Sequence, residues 1–143
     1  MGLWIGVDYG TRRVGLAIAD ATAAIATPHA TLPAAGNAPA DARRIVAWAV
    51  ARDPVGIVLG LPLNMDGTEG PQARLCRHLA EQLQTLTTLP VHLWDERLSS
   101  FQADETLDRA GVRRSRRVRL RDALAAQVIL QSFLDARGAE PPP

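Results

Sequence analysis

One cysteine, no lysine and no long apolar run are the conspicuous shortages of this 143-residue chain. A single thiol, Cys76, excludes an internal disulfide and a cysteine cluster for zinc; lying among Leu75, Leu79 and Leu83 at helical spacing, it is expected to pack as a small buried hydrophobe. The longest weakly polar stretch, residues 14–27, is broken by Asp20 and rich in alanine, which argues against a membrane span or a signal peptide and leads us to expect a cytoplasmic location. The three histidines, His29, His78 and His92, show no metal-ligand spacing and are expected to pack or face solvent. Aromatic residues make up only 4%, and Trp4, Trp48 and Trp94 sit in apolar patterns that suit a core better than a platform for stacking bases.

What is present is arginine: it supplies all 16 basic residues, and six of them (Arg113, Arg114, Arg116, Arg117, Arg119, Arg121) crowd positions 113–121, where there is no acid. The net charge of +1 therefore hides an acidic remainder, with 10 arginines against 15 acids. A run of this kind is often only a solvated face. Guanidinium groups match phosphate oxygens, however, so the segment is expected to touch a nucleic-acid backbone with strongly salt-dependent affinity. With 47% hydrophobic residues, the length suits one domain over residues 1–137, burying about two-thirds of its unfolded surface, and a disordered proline-rich tail over 138–143.

Residues 3–8 read as a strand, GTRR (10–13) as a turn, and 14–20 as a second strand with Val14, Leu16 and Ile18 on one face, making a hairpin. A third strand is expected within 24–32, at an edge because of Pro28. A helix follows over 41–52, a buried strand within 55–62, a helix over 71–86 and a strand ending in VHLWDE (91–96). A further helix, capped by Ser99 or Ser100 and ended by Gly111, precedes the last one, which Asp122 is expected to open. The implied fold is α/β: a five-stranded mixed sheet, antiparallel in its first three strands and parallel thereafter, flanked by helices.

Carboxylates fall at the ends of the apolar runs. Asp8 closes LWIGVD and Asp95 and Glu96 close VHLWDE, at the carboxyl edge where open α/β sheets place their sites. In the last helix, Ala123, Ala125, Ala126, Ile129, Leu130, Phe133 and Leu134 share one half of the surface, with Asp122 in the middle of that half. A charge there requires a compensating cation, either an arginine or a metal shared with other acids, unless it escapes past the helix end. Of Asp95 and Glu96, only one is expected to point inward, and strand alternation does not say which.

Four ordered blocks, GVDYGTRRVGLA, LGLPLNMDGTEGPQA, WDERLSS and DALAAQVILQSFL, resemble the signature segments of the YqgF/RuvX family, which shares the ribonuclease H-like superfamily with RuvC-type Holliday junction resolvases. The resemblance implies a ribonuclease H-like fold and a nuclease that trims the 5′ end of precursor small-subunit (16S) ribosomal RNA. It places catalytic and metal-binding roles on Asp8, Glu96 and Asp122. The turn carries Thr11-Arg12-Arg13 where the family more usually has lysine-arginine, and Arg121 stands where an apolar residue is common. A magnesium pair about 3.5–4 Å apart, or manganese in its place, suits phosphodiester hydrolysis with such ligands.

Arg12, Arg13 and Arg97 flank these acids in sequence and, with Asn64 and with Arg113, Arg114, Arg116, Arg117 and Arg119, are the expected nucleic-acid contacts. The expected partner is structured or precursor RNA, within ribosome-assembly particles, or branched DNA, with the chain a monomer or a homodimer. Competing readings are a junction resolvase, which normally requires two symmetric sites, a non-catalytic nucleic-acid-binding factor, and an actin-like phosphotransferase, for which one domain is too few.

Overall fold

The computed structural model describes residues 2–99 and 114–138, with the side chains of the second segment from Leu120 onward. Five strands form one sheet: β1 (Leu3–Tyr9), β2 (Arg13–Asp20), β3 (Ala26–Pro33), β4 (Pro54–Leu61) and β5 (Val91–Asp95), in the spatial order β3-β2-β1-β4-β5. β1 pairs antiparallel with β2 and parallel with β4; β2–β3 is antiparallel and β4–β5 parallel. This is the mixed sheet expected from the sequence. The hairpin is closed by the Gly10 N–H donating to the Arg13 carbonyl (2.9 Å), which sets Asp8 opposite Gly15. Pro28 lies on the edge strand β3, where a missing N–H is tolerated, and the β2–β3 register shifts beside it.

Helices α1 (Ala38–Val50) and α2 (Pro71–Leu86) cover one face, and α3 (Arg114–Gly138) covers the other. α1 starts earlier than the sequence pattern suggests because Asn37 caps it, accepting from the Ala40 N–H (2.8 Å), and Pro39 sits in its first turn. Strand alternation sorts β1 between the layers. Ile5 and Val7 join Leu16, Ile57, Leu59, Ile45 and Leu79 in the core under α1 and α2. The opposite face is built of small residues, with Ala17, Ala19 and Val58 packed against Ala126, Ile129, Leu130 and Phe133 of α3.

That small-residue face lets α3 lie almost on the main chain. A Cβ at Gly6 would come within 2.8 Å of the Ala126 carbonyl, and one at Gly15 would overlap the backbone of Asp122. Only glycine permits such an approach. One expectation is corrected here. Asp122 does not open α3, because the helix begins at Arg114 and Asp122 lies about two turns inside it. The arginine run contains no glycine or proline to stop the helix, so it propagates through the basic segment. An escape of the Asp122 carboxylate past the helix end is thereby excluded. The helix expected after Ser99 and residues 139–143 lie outside the described residues; Gly138, assigned to the tail, still belongs to α3.

Candidate active site

Asp8 is the penultimate residue of β1 and, two positions after Gly6, points to the α3 side of the sheet. Asp122 reaches the same spot because its own backbone rests on Gly15, the register partner of Asp8. Burial and the neighbouring Asp122 charge raise the Asp8 carboxyl to about 6, while Arg121 pulls it the other way. Among the described residues, no hydrogen bond or ion pair reaches the Asp8 carboxylate. Asp122 is partnered: Arg13 Nε donates to its Oδ2 at 2.6 Å.

β5 delivers the third carboxylate by stopping. After Asp95 the chain turns into a short 3₁₀ segment, Glu96–Leu98, capped by Asp95 accepting from the Arg97 N–H (2.9 Å). Asp95 is then held by the Arg97 guanidinium, with Nη2 to Oδ2 at 2.8 Å, which keeps its carboxyl below the usual range. Glu96 takes the inward direction. Its Oε1 lies over Gly60 of β4, where a Cβ would come within 2.5 Å of it, and burial together with the charges of Asp8 and Asp95 raises its carboxyl to about 7. Parallel pairing of Val7 with Leu59 makes Asp8 and Gly60 the next residues along β1 and β4, so Asp8 stands between Glu96 on one side and Asp122 on the other.

Beneath the acids lies Cys76 of α2, fully buried, whose thiol is pushed up to about 12 by burial and by the charges of Glu96 and Asp8. Local sequence gave no sign of this proximity; the glycines at positions 15 and 60, within β2 and β4, signal instead a close approach on the other face of the sheet. As they lie, no three Asp, Glu, His or Cys side chains among the described residues are close enough to hold a metal ion together. Asp8 senses each of the other two acids, whereas Asp122 is engaged by Arg13.

The expected nucleic-acid contacts divide into three groups. Arg12 is exposed in the hairpin turn, while Arg13, beside it, is tied to Asp122. Arg97 bonds Asp95 and also the Met65 carbonyl (3.2 Å), fastening the loop that follows β4 to the acidic edge. Asn64 donates to Thr68 Oγ1 (2.9 Å) within that loop, which is further closed by Thr68 bonding Asp66 and by a bridge between Leu63 and Glu69. Arg114, Arg116, Arg117 and Arg119 lie on the first turns of α3 by backbone, with their side chains outside the description, and Arg113 lies outside the described residues.

Comparison with known proteins gives the family and the fold. A "Putative pre-16S rRNA nuclease" of Rhodopseudomonas palustris (strain BisB5) is 44% identical over 134 residues, covering 94% of this chain and 83% of the relative. A protein of the same name from Cereibacter sphaeroides is 45% identical over the same span and coverage. Among solved structures, Thermus thermophilus RuvC in complex with Holliday junction substrate superposes with a TM-score of 0.59 at 12% identity, covering 97% of both chains. The Fowlpox virus resolvase bound to Holliday junction DNA gives 0.60 at 12% identity, covering 94% of this chain and 98% of that one. At that identity the likeness establishes the fold, which is that of the RuvC-type resolvases. The family model described as "RuvX: Holliday junction resolvase" matches residues 2–136, and the chain belongs to the RuvX family.

Proposed function

We propose that this protein is a divalent-metal-dependent endonuclease that processes the 5′ end of precursor small-subunit ribosomal RNA, with Asp8, Glu96 and Asp122 as its acidic centre. The observation that carries the reading is Asp8: a half-buried carboxylate at the end of a central strand, with no described donor of its own and a carboxylate on each side. Burial and mutual repulsion raise two of the carboxyls to about 6 and about 7, outweighing the pull of Arg121 on Asp8. Hard oxygen donors in that state fit magnesium or manganese. Bound there, such an ion would supply charge stabilisation at the phosphate and a lowered pKa for water.

The residues around the acids have their own tasks in this reading. Asp8 is the shared central ligand, with Glu96 and Asp122 completing the set from the two flanks. Arg97 immobilises the loop containing Asn64, so that this loop forms a fixed wall beside the scissile phosphate. Arg12 and the arginines of the first turns of α3 contact the backbone of the nucleic acid, which positions the strand without reading sequence. Relatives named as ribosomal RNA nucleases support RNA as substrate and ribosome-assembly particles as its setting. No described helix is long and apolar enough to cross a membrane, in keeping with work in the cytoplasm.

A second reading, cleavage of four-way DNA junctions by a homodimer, is favoured by the description of the family and by the junction-bound fold neighbours. One experiment separates the two. The parent protein, Asp8→Asn and Asp122→Asn are assayed on precursor ribosomal RNA and on a four-way DNA junction, with magnesium and with chelator. Magnesium-dependent cutting of the RNA, lost in both variants, is expected. Cutting of the junction alone would favour the second reading, and variants as fast as the parent would remove the assigned roles.

A further inference from the structure

We propose that Arg13 is a latch on the acidic centre: without metal it occupies Asp122, a divalent cation must displace it before Asp122 joins Asp8, and the released guanidinium then serves a phosphate of the substrate. This rests on the metal-dependent reading above. Arg13 sits directly on one of the three acids, its Nε 2.6 Å from Asp122 Oδ2. Asp8, on the neighbouring strand position across from Gly15, has no such ion pair among the described residues. A metal ion and a guanidinium on one carboxylate oxygen repel each other, so occupancy of Asp122 by one opposes the other.

Arg13 is built to let go. It is the first residue of β2, its backbone fixed by the Gly10 N–H bond and by pairing with Pro33, so only its side chain has to move. That side chain is 33% exposed, against 17% for Asp122, and so opens toward solvent where a substrate phosphate would arrive. A planar fork suits that second partner as well as the first. Among the described residues no three such side chains are gathered closely enough to share an ion while Asp122 is engaged by Arg13.

The test uses manganese ion alone as probe, titrated into the full chain without nucleic acid, with free Mn²⁺ read by its paramagnetic resonance signal. Arg13→Met keeps the aliphatic stem and removes the charge; thermal melting in chelator verifies that it is folded, and Arg13→Gln replaces it if it is not. The expected result is Mn²⁺ binding about fivefold or more tighter than in the parent. Arg12→Ala removes an equal charge from the same turn and is expected to leave Mn²⁺ affinity unchanged. With RNA present, Arg13→Met is expected to raise KM. Equal or weaker Mn²⁺ binding by Arg13→Met overturns the latch, as does an equal gain from Arg12→Ala. If the parent binds no Mn²⁺, or Asp8→Asn binds it as the parent does, the metal reading falls and takes the latch with it. If Asp8→Asn loses Mn²⁺ and Arg13→Met is unchanged, the latch alone is wrong.

Discussion

Consecutive residues of β1 lead to two carboxylates, one buried and one half-buried, that the protein treats in opposite ways. Tyr9 points into the layer under α1, where its hydroxyl donates to Asp41 Oδ2 (2.6 Å) while the Ala35 N–H donates to Oδ1 (2.7 Å). Asp41 is only 1% exposed, yet both of its oxygens are satisfied. Asp8, one position earlier, points the other way, is less buried, and has carboxylates for neighbours where Asp41 has donors. The pair teaches that depth alone does not distinguish a structural acid from the one we propose as functional. Supply of donors does: Asp41 anchors α1 to the sheet, whereas no described donor holds the Asp8 carboxylate.

The contrast can be broken from either end, and the largest effect is expected in catalysis. Asp8→Asn should lower metal-dependent cleavage on the order of 10³-fold, about 4 kcal/mol of barrier. The same change should leave the melting temperature at pH 8 equal or higher, because it removes a repelled charge; a marked loss of stability would make Asp8 a structural residue like Asp41. Asp41→Ala should do the reverse, costing about 3 kcal/mol in urea unfolding by orphaning a buried hydroxyl and an amide. Tyr9→Phe, which takes one donor from Asp41 and keeps the ring, should cost about 1–2 kcal/mol in the same measurement.

The smallest effect is a dependence on pH. Folded carboxyls at about 6 for Asp8 and about 7 for Glu96 lie above their ordinary values of 3.8 and 4.5, so between those limits the folded state holds more protons than the unfolded one. Stability contributed by these two groups is therefore complete at low pH and declines as pH rises through about 7, read as a falling Tm. Adding magnesium should flatten the decline, and Glu96→Gln should remove part of it. A metal-free Tm unaffected by Glu96→Gln at every pH from 4 to 8 would argue against a crowded centre.

Much of the architecture was legible because apolar runs and breakers coincide. β1 and β4 are short runs flanked by turn residues, and α2 begins at Pro71 and ends at Leu86, just ahead of Pro90, as its spacing indicates. Gathering Asp8 and Glu96 at the carboxyl edge followed from parallel pairing. Choosing Glu96 over Asp95 did not follow from alternation, because alternation ceases where the chain turns into the 3₁₀ segment: Asp95 becomes its cap and Glu96 swings over Gly60. Two further features had no local signature. The Arg13–Asp122 pair joins residues 109 positions apart, and Asp41 reads as an ordinary first-turn acid on an amphipathic helix until Tyr9 is seen to reach it.

Where α3 crosses Gly15, helix and sheet meet main chain to main chain, and at Gly6 the Ala126 carbonyl and Leu130 Cβ come nearly as close. The interval between Asp8 and Asp122 is consequently a ruler cut in peptide bonds. Substituting core residues elsewhere can alter how firmly the layers adhere, but it cannot lengthen or shorten that ruler. A protein engineer wishing to widen that interval would have to relocate the entire helix, and descendants of this chain inherit the same gauge for as long as they retain those two glycines.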